Sequence, residues 1–223
     1  MFISKYSRFL TVILILLIIG ILGTIGYFVY DALVIKEKNN NAKDVAEEFF
    51  RYAKKEKNDD DDIEIDNSSI EPVNPVTKET TSEKKSEKVY MEGHEVIGTI
   101  KIPKTGIEYP ILEDMTTRSL EIAVVKLYGV GLNQPGNTTI VGHNYRNGLF
   151  FSNNNKLQKG DTIDITDQSG ETVTYAIYEM FMTSPNDAEY MQRDTEGARE
   201  ISLSTCNNDS SQRLIILGRE KEK

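Results

Sequence analysis

One cysteine, Cys206, two histidines, His94 and His143, and an arginine seven residues past the thiol, Arg213, are the residues on which a reaction could be built. A lone cysteine excludes an intramolecular disulfide. It is then either a small hydrophobe packed in a core, as free cysteines commonly are, or a reacting thiol. Little of a free thiol is ionised at neutral pH, so a reacting one needs a base or a cation beside it. An imidazole can take its proton and later pass it to a leaving amine. A guanidinium, always charged and fork-shaped, can meet an oxyanion. Cys206, His143 and Arg213 are of the types that acyl transfer through a thiol requires.

The elements around them decide whether they can meet. Ile201–Cys206 and Arg213–Gly218 are rich in Ile, Leu and Thr, and Asn207 to Gln212 between them are polar turn formers. That is a strand, a loop and a returning strand, with thiol and guanidinium side by side at its mouth. His143 ends the run T-T-I-V-G-H, where Gly142 frees the backbone and a strand end presents the side chain to a loop. His94, in M-E-G-H-E, sits among polar neighbours and reads as solvated.

Strands are also expected at Val96–Ile102 (ended by Pro103), Ile107–Leu112, Thr138–Gly142, Thr162–Thr166 and Thr172–Phe181. Pro110 marks the second of these as an edge or a bulge. A short helix is expected over Thr117–Val125, capped by Thr116 or Thr117. Gln134-Pro135-Gly136-Asn137 suits a type II turn, and Asp187–Arg193 a helical turn. Seven or eight short strands at this spacing predict a mainly β fold, a closed or nearly closed β-barrel with short helices.

Composition divides the 223 residues into an apolar start, a charged middle and a mixed remainder of about 130 residues, enough for one core. The net charge of −9 and the lack of any Lys/Arg block argue against a nucleic-acid partner. Phe9 to Tyr30 is 22 residues without a charge, the length that crosses a ~30 Å hydrocarbon core. It has no small-x-small cleavage site after it, so an uncleaved anchor is expected. Basic residues flank both ends, and the positive-inside rule alone does not orient it. The short tail 1–8 is placed in the cytoplasm and the bulk of the chain outside.

In 31–88, residues Ala42 to Lys57 put Ala42, Val45, Ala46, Phe49 and Ala53 on one helical face: a stalk, a self-association surface or a lid. Asn58 to Lys88 is too polar to offset its ordering entropy and reads as a disordered linker. Its Asp59–Asp62 run reads as a solvated acidic stretch rather than a metal site. The folded domain is expected over 89–223.

Several of these segments together carry a resemblance. S-L-S-T-C with Arg213 downstream, I-G-T-I-K-I-P-K-T-G-I-E-Y-P-I at Ile97–Ile111, Gly136-Asn137 through Gly142-His143, and L-Q-K-G-D at Leu157–Asp161 resemble, in order, the motifs of sortases. Ser202 stands where that family's pattern most often has Thr, a change in strand packing rather than chemistry. Sortases are membrane-anchored cysteine transpeptidases of Gram-positive bacteria. The resemblance covers about residues 95–219 and implies a sortase-like barrel with Cys206 as nucleophile, His143 as acid/base partner and Arg213 as oxyanion or substrate binder. It implies cleavage of an LPXTG-like sorting motif in secreted surface proteins and transfer of the acyl group to an amine of a peptidoglycan precursor or a pilin. Thr205 and the Thr183–Arg193 loop are candidate walls of the peptide groove.

No cofactor is expected, and nothing in the sequence fixes a divalent-cation dependence. The chain has no Trp, so the aromatic lid of many pilin-polymerising sortases is not evident, and no second apolar anchor follows Arg219. A housekeeping-like or single-substrate enzyme is therefore expected over a pilus polymerase. Two readings stand beside the transpeptidase: a silent membrane-anchored β-module with Cys206 in its core, and a thiol hydrolase of the same fold.

Overall fold

Alternating apolar residues build most of the molecule, which a computed structural model describes over residues 4–61 and 88–221. Among these residues the strands are β1 (Tyr90–Met91), β2 (His94–Ile102), β3 (Ile107–Leu112), β4 (Val124–Tyr128), β5 (Gly136–Val141), β6 (Thr162–Asp167), β7 (Thr172–Thr183), β8 (Arg199–Cys206) and β9 (Arg213–Glu220). The sheet runs β1-β2-β3-β4-β5-β8-β9-β7-β6, and β6 returns to pair with β2. Strands β2 to β9 thus close an eight-stranded barrel, and β1 adds only a short hairpin against the start of β2. Closure leaves the barrel no free edge to aggregate. Ile100, Ile111, Ile140, Ile163, Leu203 and Ile216 fill the interior and are fully buried.

Two pairings are parallel, β3–β4 and β5–β8; the rest are antiparallel. The second positions the candidate residues. It brings the C-terminal ends of β5 and β8 to the same rim, so the residues that leave both strands emerge together.

The stretch expected as one helix over 117–125 is two elements. Helix α2 occupies Thr117–Ile122, capped by Thr116, whose hydroxyl accepts from the Ser119 amide at 3.0 Å while Ser119 Oγ accepts from the Thr116 amide at 2.8 Å. Ala123 is extended, and Val124 and Val125 enter β4 to pair with β3 and β5. Two β-branched residues that bury on a pleated surface outweigh a weak helical periodicity there. At β3, strand β4 pairs only with Ile111 and Leu112, so Pro110 lies where no strand lines that side.

Helix α1 is continuous over Ser4–Asp61, and the chain falls into two compact units, Met1–Asn41 and Ala42–Lys223. In the first, the side chains of Phe9 to Tyr30 are exposed along a stretch long and apolar enough to cross a membrane. In the second, Ala42, Ala46, Phe49 and Ala53 are buried at helical spacing. Phe49 and Ala53 pack with Val89, Met91, Val96, Leu112, Ala123 and Val125. Of the roles open to this segment, docking on the barrel is the one observed. Burying a side chain of that size contributes about 2–3 kcal/mol. The β6–β7 turn closes beneath the helix, where a Cβ on Gly170 would sit 3.0 Å from the Ala53 carbonyl; its φ of +75° also favours glycine. The linker expected over 58–88 lies, from 62 to 87, outside the described residues.

Candidate active site

Register brings the three candidate groups to one rim of the barrel. In the parallel pair, Asn137 lies opposite Glu200, Thr139 opposite Ser202 and Val141 opposite Ser204. The Gly142 amide continues the ladder by donating to the Ser204 carbonyl at 3.2 Å. Beyond it β5 has ended, and His143 follows Gly142 at the rim where β8 ends in Cys206. On the other side of β8, Cys206 is the direct partner of Arg213. Residues opposite one another in a sheet share a face, so thiol and guanidinium lie side by side on β8 and β9, and His143 leaves β5 at the same rim.

The side chains bear this out for the sulfur. Cys206 is half-buried and free, and Arg213 Nη1 donates to its Sγ. The loop between them is short and internally tied. The Asn207 amide donates to the Gln212 carbonyl at 3.0 Å, and Asp209 accepts from the Ser211 amide at 2.9 Å. Bonds from Ser211, side chain first and amide second, hold the Asp209 carboxyl below the usual carboxylate range.

His143 is fixed by its neighbours on both sides in the chain. A Cβ on Gly142 would come within 2.9 Å of both Phe151 and Val124, so only glycine lets β5 leave the barrel along this path. The Gly142 carbonyl accepts from Thr205 Oγ1 at 2.8 Å. Asn144 Nδ2 donates to the carbonyl of Cys206 itself at 2.9 Å and to Asn208 Oδ1 at 3.3 Å. The residues on either side of His143 are thus bonded to Thr205 and Cys206 respectively. Burial lowers the His143 pKa from its ordinary 6.5, and the Arg213 charge lowers it further, against an opposing pull from Glu121. The shift favours the neutral imidazole, the form that can accept a proton.

Thr205 is buried and turns its hydroxyl to Gly142 rather than to the surface. The β7–β8 connection covers the rest of the face on which Cys206 lies. Glu200, Ser202 and Ser204 precede Cys206 on the same face of β8, and each meets this connection. Arg193 Nε donates to Glu200 Oε2 at 2.8 Å and its Nη1 to Ser202 Oγ and the Tyr190 carbonyl, each at 2.7 Å. Tyr190 donates to Ser204 Oγ at 3.3 Å and packs on Ile215 and Leu217. Asn137 adds bonds to the carbonyls of Tyr190 and Met191. Cys206 is where this column of contacts stops and the face opens.

His94 opens β2 within the β1–β2 hairpin and takes no part in the site. Sequence reasoning passed over Asn144, which as a loop asparagine looks like any turn former, and Tyr145, whose ring stacks on His143. Arg193 it noted only as the end of a loop. Among the described residues no group of three or more His, Cys, Asp or Glu is arranged to hold a metal ion.

The architecture and the site define an eight-stranded β-barrel that carries a single thiol beside a guanidinium, with an imidazole at the same rim. Residues 100–221 match the Sortase domain family. The chain is 30% identical over 131 residues to Sortase A of Bacillus anthracis, covering 57% of this chain and 61% of that protein. Among solved structures, the Sortase D5 transpeptidase of Clostridium perfringens is 26% identical with a TM-score of 0.58, covering 82% of this chain and 100% of the other. Sortase A from Corynebacterium diphtheriae is 29% identical with a TM-score of 0.53, covering 58% and 62%. The chain belongs to the sortase family. It spans somewhat over three fifths of the Bacillus anthracis relative's length.

Proposed function

We propose that the protein is a membrane-anchored cysteine transpeptidase with Cys206 as nucleophile, His143 as the proton-transfer group and Arg213 as the cation facing sulfur and oxyanion. The observation that supports this is the pairing of Cys206 with Arg213, whose Nη1 meets the sulfur, at the rim where His143 leaves β5 and its neighbour Asn144 bonds the Cys206 carbonyl. In this reading the sulfur attacks the carbonyl carbon of a scissile peptide bond while its proton passes to the neutral imidazole. Arg213 has donors beyond the one on Sγ and can meet the oxyanion of the tetrahedral intermediate. Collapse breaks the C–N bond, and the departing amine takes the proton from His143. The acyl group remains on Cys206 as a thioester. An incoming amine then attacks it and gives a proton to the imidazole; collapse breaks the C–S bond, and the imidazole returns that proton to the departing sulfur.

The substrates are sorting-motif-bearing surface proteins with an LPXTG-like sequence, and the acceptor is an amine of a peptidoglycan precursor or a pilin. Residues 9–30 anchor the chain and the barrel acts outside the cell. Thr205 serves the site by bracing Gly142, one residue before the imidazole, rather than as a groove wall. The 184–193 segment borders the peptide groove on the side of Ser204. A core role for Cys206 does not fit its half-exposed thiol and its bond to Arg213.

The test uses the full chain in detergent micelles with fluorogenic peptides from a sorting-motif library, with and without an amine such as triglycine. Cleavage lost in Cys206→Ala and His143→Ala, with a ligated product when amine is present, is expected. Cleavage without ligation at any amine concentration would instead identify a hydrolase.

A further inference from the structure

The loop that follows His143 is tied to the barrel by backbone bonds and by a chain of aromatic rings, and Tyr145 is the part of it that touches the imidazole. The two rings lie 4.8 Å apart at 30°, a stacked arrangement. Tyr145 rests in turn against Phe150 at 5.7 Å, and Phe150 against Tyr109 of β3 at 5.2 Å. Phe150 and Tyr109 are both buried, so the chain of rings is anchored in the barrel.

The backbone holds that arrangement. Asn144 and Phe150 form an isolated antiparallel bridge, and the Phe151 amide donates to the His143 carbonyl at 3.1 Å. The chain reverses between them through left-handed residues, Arg146 at φ 59° and Gly148 at φ 90°. Phe150 is itself left-handed, at φ 50°, a conformation a bulky side chain seldom takes. Backbone of this kind persists only where the surroundings over-determine it. Here its effect is to return the chain so that Phe150 supports Tyr145 from below.

We propose that Tyr145 is a positioning residue, an aromatic shelf that sets the plane of the His143 ring against Cys206, and that residues 144–151 exist to hold it there. The proposal rests on the reading of His143 as the proton-transfer partner of Cys206. Among the described residues Tyr145 is the ring that stacks on the imidazole, and strand β5 ends at Val141, too early to fix the ring by itself. The face of Tyr145 does the work; its hydroxyl is dispensable. At 42% exposure, Tyr145 is open enough for its substitution to leave the barrel core untouched.

The test needs no substrate. With only two histidines, the full chain labelled at the His Cε1 carbons gives two NMR signals in micelles, and His94→Gln assigns them. Tyr145→Ala is expected to move the His143 titration midpoint upward, because the imidazole regains solvent, while that of His94 stays in place. Tyr145→Phe is expected to leave both unchanged. In parallel, alkylation of Cys206 by iodoacetamide is expected to slow about tenfold in Tyr145→Ala, a fraction of the ~100-fold that a misplaced group can cost, and to match the parent in Tyr145→Phe.

A parent-like midpoint and alkylation rate in Tyr145→Ala overturns the shelf and leaves the acid/base reading of His143 standing. Equal losses in Phe and Ala variants overturn it too, by assigning the effect to the hydroxyl. If His143→Ala itself alkylates like the parent, the reading of the base fails and the shelf fails with it.

Discussion

Asn144 Nδ2 donates to the carbonyl oxygen of Cys206 at 2.9 Å, so the residue after the imidazole is bonded to the backbone of the nucleophile. Removing this bond frees two loops with respect to each other. Asn144→Ala is expected to lower kcat/KM for a sorting-motif peptide by about tenfold and to cost about 1 kcal/mol of stability, the usual worth of a net hydrogen bond. Asn144→Asp should be worse than Ala, since a carboxylate oxygen would face the carbonyl. Peptide kinetics and chemical denaturation measure the two effects separately.

The pH response of His143 has a fixed sign. Its pKa is lowered in the folded protein by burial first, with Arg213 adding to the shift and Glu121 opposing it. Protonation is therefore favoured in the unfolded chain. The associated stability is full above the ordinary value of 6.5 and declines as pH falls from there through the lowered folded value. Arg213→Gln removes a cation and should raise the His143 midpoint; Glu121→Gln should lower it. NMR titration of the imidazole reads both directions.

Gly142 lets β5 leave the barrel between Phe151 and Val124. Gly142→Ala is expected to cost about 1–3 kcal/mol, as overpacking usually does. It should also displace His143, so activity should fall further than stability alone accounts for. Adding Phe151→Leu should restore part of both, measured as thermal midpoint and turnover in the double variant.

Phe49 pins the 42–53 stretch of α1 to the barrel. Phe49→Ala is expected to destabilise by about 3–5 kcal/mol, whereas Phe50→Ala, at a position 50% exposed, should cost little. Hydrogen exchange at the amides of 42–53 should rise in the first variant and not in the second.

The β7–β8 connection is held by a buried carboxylate. Glu200, 1% exposed at its side chain, pairs with Arg193 at 2.5 Å and Arg219 at 2.6 Å. Arg193→Met leaves Glu200 one cation short and releases Tyr190. The expected outcome is a rise in KM for the peptide with a smaller change in kcat, because the site at Cys206 does not include Arg193. A change confined to kcat would contradict the placing of this loop at the groove.

Strong local signals made much of this architecture legible. The alternation of Ile and Leu with Ser in 201–204 and the apolar run of 214–217, with polar turn formers between 207 and 212, is enough to set Cys206 beside Arg213. What periodicity could not supply was the parallel pairing of β5 with β8, a contact between segments about sixty residues apart that brings His143 to the same rim; only the family resemblance linked those residues. β4 was hidden because Val124 and Val125 continue the apolar rhythm of α2. The supports of the site were hidden for another reason. Asn144 and Arg193 act through backbone carbonyls and a buried carboxylate, partners that leave no mark at fixed spacing.

The central claim is that an acyl group rests on Cys206, and intact-mass spectrometry of the full chain during turnover of a sorting-motif peptide tests it. Rapid acid quench should show the chain heavier by the acyl fragment N-terminal to the cut, with the adduct on the peptide containing Cys206, lost on hydroxylamine treatment and absent from Cys206→Ala. Cleavage that proceeds with no adduct on Cys206, or with the same adduct in Cys206→Ala, would contradict the account.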